Sequence, residues 1–157
     1  MITGGAAPEG PISIDDRSRV MVVAADSGLT TAAKAGIVPD AIVGDMDSLS
    51  DHSLLNRYPN ATIERYKSAK DWTDTEIALK FLWKRAVGEV TILGGGGGRI
   101  DHLFALFALF EREHYPKRWL TDREEITVVE ESVVVDAPED GIISFFPVGP
   151  EPCTMTS

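Results

Sequence analysis

Apolar runs and helix-like patterns alternate along the chain. Residues 19–25, RVMVVAA, make a β-branched apolar run that predicts a buried strand ending at Asp26. Residues 29–35 are alanine-rich and predict a helix stopped by Gly36, with Pro39 shortly after. Residues 40–43 predict a second strand, 50–57 a short helix closed by Pro59, and 61–66 a third strand. Across residues 73–85, apolar Ile77, Leu79, Phe81 and Leu82 alternate with Lys80, Lys84 and Arg85, the stripe of a surface helix ended by Gly88. Residues 89–93 predict a fourth strand that runs straight into five glycines at 94–98.

The helix expected over 101–112 is apolar on nearly every face, with Leu103, Phe104, Leu106, Phe107, Leu109 and Phe110. Such a helix is expected to be buried on more than one side, within the fold or between two subunits. After about residue 124 the pattern changes to short strands, at 126–129, 133–136 and 142–146, with turn residues between them. The expected fold is α/β and three-layered: a mainly parallel sheet with helices on both faces, followed by the start of an antiparallel β-sandwich. The expected domains are an α/β unit at 1–122 and a partial sandwich at 123–157. Residues 1–3 read as the stub of a strand leading to Gly4 and Gly5, so both ends look clipped.

Charge narrows the partners. The 157 residues carry 25 acidic and 15 basic side chains, for a net charge of −10. A chain this acidic has no general attraction for nucleic acid or anionic membranes, so neither is an expected partner. It would also repel ATP, so a nucleotide site needs local cations, a metal or backbone N–H groups. No run reaches membrane-spanning length, the opening residues do not form a cleavable leader, and the one cysteine, Cys153, suits a reducing cytoplasm.

Four polar clusters follow the apolar runs. They are Asp26-Ser27-Gly28, Gly44-Asp45-Met46-Asp47-Ser48, Lys70-Asp71-Trp72-Thr73-Asp74, and the glycine run with Arg99-Ile100-Asp101-His102. Strand C-termini of a parallel sheet share one edge, so these clusters are expected to meet where open α/β sheets bind ligands. If the second strand continued through Asp45 and Asp47, the two carboxylates would face one side and repel unless a cation lay between them. Both can instead serve as turn and capping residues. Thr73 and Glu76 fit a capping box, and Asp101 can be the N-cap of its helix. The glycine run can be a linker or a loop that lets N–H groups approach phosphate oxygens. Arg99 and, more weakly, Lys70 suit phosphate. Together the set describes a Mg²⁺ site for a polyphosphate, because Mg²⁺ takes one or two carboxylates plus substrate oxygens. Three scattered histidines have no zinc-ligand spacing.

The segments ADSG at 25–28, PDAIVGDMDS at 39–48, KDWTDTE at 70–76 and GGGGGRIDH at 94–102 together resemble the thiamine pyrophosphokinase (thiamine diphosphokinase) family. The resemblance implies Mg²⁺-dependent transfer of pyrophosphate from ATP to the hydroxyl of thiamine, giving thiamine diphosphate and AMP. It implies metal ligation by Asp45, Asp47 and Asp74, with Asp101 also in the catalytic set. Asp26, Ser27, Gly28, Lys70, Asp71 and Thr73 would line the nucleotide and metal region, while Gly95, Gly97, Gly98 and Arg99 would hold phosphates. It also implies a homodimer with substrate sites between subunits. A pyrophosphokinase for another alcohol, such as a pterin, and a non-catalytic nucleotide-binding module are the competing readings. The first would show in an acceptor screen, the second as Mg-ATP binding without AMP release.

Overall fold

The computed structural model describes residues 1–14, 16–47, 49, 51–67, 72–135 and 140–148. Strand β1 (Val23–Ala25) is followed by helix α1 (Gly28–Lys34) and strand β2 (Ala41–Gly44). A 3-10 turn at His52–Arg57 leads to β3 (Thr62–Arg65), and β1, β2 and β3 pair in parallel in that order. Helix α2 (Asp74–Trp83), strand β4 (Thr91–Leu93) and helix α3 (Ile100–Phe107) follow. Strand β5 (Arg118–Leu120) pairs parallel to β4, and β6 (Glu125–Thr127) pairs antiparallel to β5. The molecule is a mixed α/β fold with one parallel sheet and a second, mixed one.

The two sheets are joined by the segment read as a stub. Ile2 bridges Ala24 on one side and Leu93 on the other, both in parallel. Its N–H donates to Val23, its carbonyl accepts from Ala25, and Thr3 donates to Leu93. Three residues therefore suffice to seat a central strand between β1 and β4.

Side chains of β1 alternate, as a pleated strand requires. Val23 and Ala25 pack with Ile77, Ala78, Phe81 and Leu82 of α2, in a core that extends to Leu106, Phe110 and Trp119. Ala24 packs the opposite way, with Leu29, Ile42 and Met46. Strands β1 and β2 are buried at every position, which explains their unbroken apolar runs. Helix α2 begins with the expected capping box: Glu76 N–H donates to Thr73 Oγ1, and Thr73 N–H donates to Glu76 Oε2 at 2.9 Å. It ends two residues earlier than the pattern predicts. Ala86 takes a left-handed φ of 55° and donates its N–H to Trp83, while Val87 donates to Leu82, closing the helix before Gly88.

Several expectations changed on folding. Residues 17–19 form a 3-10 turn rather than the start of β1, because Asp16 accepts from the Ser18 N–H and hydroxyl. Strand β5 was not foreseen; three residues just after Pro116 give no period to read. Residues 133–135 and 142–146, expected as strands, form no ladder among the described residues, since no partner strand lies beside them.

Candidate active site

The parallel register builds the site. Ala25 pairs with Val43, so the residues just beyond, Asp26 and Gly44, lie side by side at the C-terminal edge. Asp26 N–H donates to Val43 at 2.9 Å, and the residue adopts φ 46°, a region that aspartate tolerates better than most side chains. A Cβ on Gly44 would stand 3.0 Å from Asp26 Cβ and 3.2 Å from Asp74 Oδ1, so glycine there lets the two acids approach. The capped first turn of α2 delivers Asp74, whose charge also suits the positive end of the helix. Carboxylate oxygens of Asp26, Asp45 and Asp74 all lie within 4.8 Å of one another.

Asp26 takes the place expected for Asp47. Strand β2 ends at Gly44, and Met46, fully buried, turns the chain with φ 67°. Asp47 is thereby swung outward and exposed, and its N–H donates back to Asp45 Oδ1 at 3.0 Å. Side-by-side carboxylates at positions 45 and 47 require extended backbone at Met46, which is absent. The signal for Asp26 was in the sequence: an acid immediately after one buried strand and a glycine at the matching point of its neighbour.

The donor set fits a hard divalent cation. Asp26 is 4% exposed and its Oδ1 has no hydrogen-bond partner among the described residues. A buried carboxylate oxygen left so costs several kcal/mol unless a cation meets it (on the order of the ionic desolvation penalty). Two oxygens bound to Mg²⁺ at about 2.1 Å can stand at most about 4.2 Å apart. The cluster thus reaches direct ligation by two carboxylates with little movement, the third completing the shell closely or through water.

The glycine run is less open than expected. Gly95 N–H donates to Gly4 at 2.8 Å, Gly96 exchanges hydrogen bonds with Ala6, and Gly94 N–H donates to Leu120. The Trp119 indole, itself buried, donates to the Gly94 carbonyl at 2.7 Å. A Cβ on Gly94 would lie 2.4 Å from the Thr3 carbonyl, so this end of the run is a packing surface against residues 3–6. Gly95 therefore offers no free N–H, whereas Gly97 and Gly98 are exposed with φ 64° and 74°.

Arg99, not Asp101, holds the N-cap position of α3. Asp101 lies in the first turn, where Arg99 Nε donates to its Oδ1 at 3.0 Å and the Arg99 terminal nitrogen meets Oδ2. That hydrogen-bonded pairing holds the Asp101 carboxyl below its usual range and raises the guanidinium. Ser27 holds the N-cap position of α1 without a side-chain cap, and Gly28 is buried against the Ile2 carbonyl. Lys70, Asp71 and Ser48 lie outside the described residues, as does Cys153. Within this chain helix α3 is not buried on several sides: Ile100 and Phe104 are each 66% exposed, because no other segment of the described chain covers them. Phe107 meets Phe146 edge-on at 6.4 Å.

Two surface hollows, of about 740 and 340 Å³, flank the N-terminal ends of the strands. Neither is lined by Asp26, Asp45, Asp74, the glycine run or Arg99.

No described helix is long and apolar enough to cross a membrane. A family model described as thiamin pyrophosphokinase, catalytic domain, matches residues 17–119. A thiamine pyrophosphokinase of Bacillus subtilis (strain 168) is 33% identical over 81 residues, covering 51% of this chain and 38% of that protein. Among solved structures, a thiamin pyrophosphokinase family protein from Enterococcus faecalis aligns with TM-score 0.64 and 28% identity, over 80% of this chain and 62% of that one. The thiamin pyrophosphokinase of Geobacillus thermodenitrificans aligns with TM-score 0.55 and 30% identity, over 76% of this chain and 58% of that one. The chain thus spans less than two thirds of each of these relatives. With the match running from the 3-10 turn before β1 to the middle of β5, this chain belongs to the thiamin pyrophosphokinase family.

Proposed function

We propose that this chain transfers a pyrophosphoryl group from ATP to the hydroxyl of thiamine, releasing AMP. The observation that carries the reading is the group of Asp26, Asp45 and Asp74 at one sheet edge, with Asp26 Oδ1 buried and without a hydrogen-bond partner among the described residues. These three would hold Mg²⁺, which when bound offsets the charge of the phosphates. Asp47, beside Asp45 but exposed, remains a second-rank ligand that a shift of the 46–47 turn would recruit. Gly97 and Gly98 present backbone toward solvent and, with Arg99, suit phosphate oxygens once Arg99 releases Asp101. Lys70 and Asp71, with Ser27, Gly28 and Thr73, belong to the nucleotide side in this reading.

The thiamine oxygen bonds to the β-phosphorus of ATP, the bond from that phosphorus to the α-phosphate oxygen breaks, and the hydroxyl proton leaves to solvent or to Asp101. No covalent protein intermediate is needed, so the protein positions and screens charge. The exposed Ile100, Phe104 and Phe107 face suits a second copy of the chain, making a homodimer. The opposed packing of Val23 and Ala24 supports three layers, and β6 the first strand of a sandwich unit beginning near residue 123. The single cysteine and acidic charge suit the cytoplasm.

The test is nucleotide product analysis of purified protein with Mg-ATP, with and without thiamine. Thiamine-dependent AMP, absent in Asp45→Asn and Asp74→Asn, is expected. ADP in place of AMP, or AMP formation indifferent to thiamine, refutes the reading.

A further inference from the structure

We propose that Thr3 is a positioning residue for the carboxylate site, its hydroxyl fixing the first turn of α2 and with it the Asp74 carboxylate. The proposal rests on the metal reading above and assigns a role to a residue of the central segment. Thr3 is 8% exposed, and its Oγ1 stands 3.0 Å from Thr75 Oγ1. Its backbone is pinned in the sheet by the N–H donated to Leu93 at 2.9 Å. Thr75 is the second residue of α2 and Asp74 the first, so a bond at Thr75 sets the height and rotation of the turn that carries Asp74.

The other ties on that turn have different reach. The Thr73 and Glu76 capping box is internal to the helix and fixes its shape, not its place on the sheet. Arg112 Nη2 meets Glu76 Oε1 at 3.1 Å, but the arginine is more than half exposed, so this tie is screened and adaptable. The buried residues of α2 begin at Ile77, one turn further along, so the Thr3–Thr75 bond is a tie to the central segment at the very start of the helix. Oxygens that lie within 4.8 Å of one another and must stand no more than about 4.2 Å apart to share Mg²⁺ are sensitive to small shifts of the turn that carries Asp74. The Thr3 methyl faces the other way, 3.3 Å from where a Cβ on Gly95 would stand. One side chain thus sets the spacing between the carboxylate-bearing helix and the glycine run, its hydroxyl serving the first and its methyl the second.

The test is a Mn²⁺ titration, by electron paramagnetic resonance of the free ion, on the unmodified chain and on Thr3→Val, Thr3→Ser, Thr75→Val and the Thr3→Val/Thr75→Val double variant. Valine keeps the shape of threonine without its hydroxyl. Outer-sphere partners of metal ligands typically contribute about 10–100-fold to affinity. Since Thr3 acts through the helix backbone, about five- to tenfold weaker Mn²⁺ binding is expected for each valine variant. The double variant should be no weaker than either single one, because both remove the same bond. Thr3→Ser should bind within about twofold of the unmodified chain by the same scale. The proposal is overturned if Thr3→Val binds as tightly as the unmodified chain, if Thr3→Ser is as weak as Thr3→Val, or if the two valine effects multiply. It is overturned together with the metal reading if the unmodified chain binds no Mn²⁺. Should Thr3→Val fail to fold, Thr75→Val removes the same bond from the other side and decides alone. The titration uses neither ATP nor thiamine, so failure of the pyrophosphoryl reading shows only in product analysis and failure of this one only here.

Discussion

Replacing Asp26 by asparagine should stabilise the metal-free protein while abolishing its response to Mg²⁺. Three carboxylates whose oxygens lie within 4.8 Å repel one another without a cation. A pair at that spacing costs about 1 kcal/mol in water and up to about 3.5 kcal/mol at an effective dielectric constant near 20. Asp26 takes part in two such pairs, on the buried side of the cluster, where water screens least. Asp45 and Asp74 are only partly buried, which pulls the sum toward the lower limit. A net gain of about 1–3 kcal/mol follows, or roughly 3–10 °C in melting temperature for a chain of this size. Asparagine is the right replacement because it keeps the size of aspartate and tolerates the φ of 46° at this position. The assay is thermal unfolding in EDTA and in millimolar Mg²⁺. The unmodified chain should gain up to about 2.7 kcal/mol when Mg²⁺ reaches a hundred times its Kd, and Asp26→Asn nothing comparable. A variant that melts lower than the unmodified chain in EDTA, yet rises equally with Mg²⁺, refutes the account, because Asp26 would then be a structural acid outside the metal set.

Three further outcomes follow from the geometry. Trp119→Phe removes the indole bond to the Gly94 carbonyl and should lower stability by about 2 kcal/mol in urea unfolding, with faster amide exchange across the glycine run. Ala86→Gly should raise stability by up to about 1 kcal/mol, since the left-handed φ of 55° strains alanine and the position is exposed; an equal loss would mean that strain is absent. Arg99→Ala should raise the titration midpoint of Asp101 toward the ordinary carboxylate range, followed by carbon NMR of the carboxyl. The sign is that of a depressed acid: the pairing is present above the ordinary Asp range and lost as pH falls through the lower folded-state value. An unchanged midpoint would show that the pair does not form in solution.

What could be read from the sequence was what depends on neighbours along the chain. The capping box of Thr73 and Glu76 and the apolar stripe of α2 are local signals, and each is found where expected. Asp47 lies outside the group of Asp26, Asp45 and Asp74 because period-two alternation needs extended backbone, and Met46 turns left-handed instead. A buried, non-glycine residue in that region is fixed by tertiary packing, which no propensity reports. The place of the glycine run between a strand and a helix suggests a phosphate loop, yet three of its five N–H groups meet Gly4, Ala6 and Leu120, partners distant in sequence. The exposed face of α3 shows the converse limit: apolarity says that a surface is to be covered, not by which chain.

The position of Ile2 has a consequence for how the molecule assembles during synthesis. Ile2 pairs with Ala24, which follows it soon in the chain, and with Leu93, which comes much later. Until β4 leaves the ribosome, one edge of Ile2 stays bare, and the half-sheet of β1, β2 and β3 is a template open to wrong partners. Closing the central pairing joins segments far apart in the chain, so it belongs to the slow, late part of folding, after the local β1–α1–β2 unit has formed. The carboxylates of Asp26 and Asp45 can thus come together early, while the glycine run is held in place only once residues 4–6 meet the end of β4.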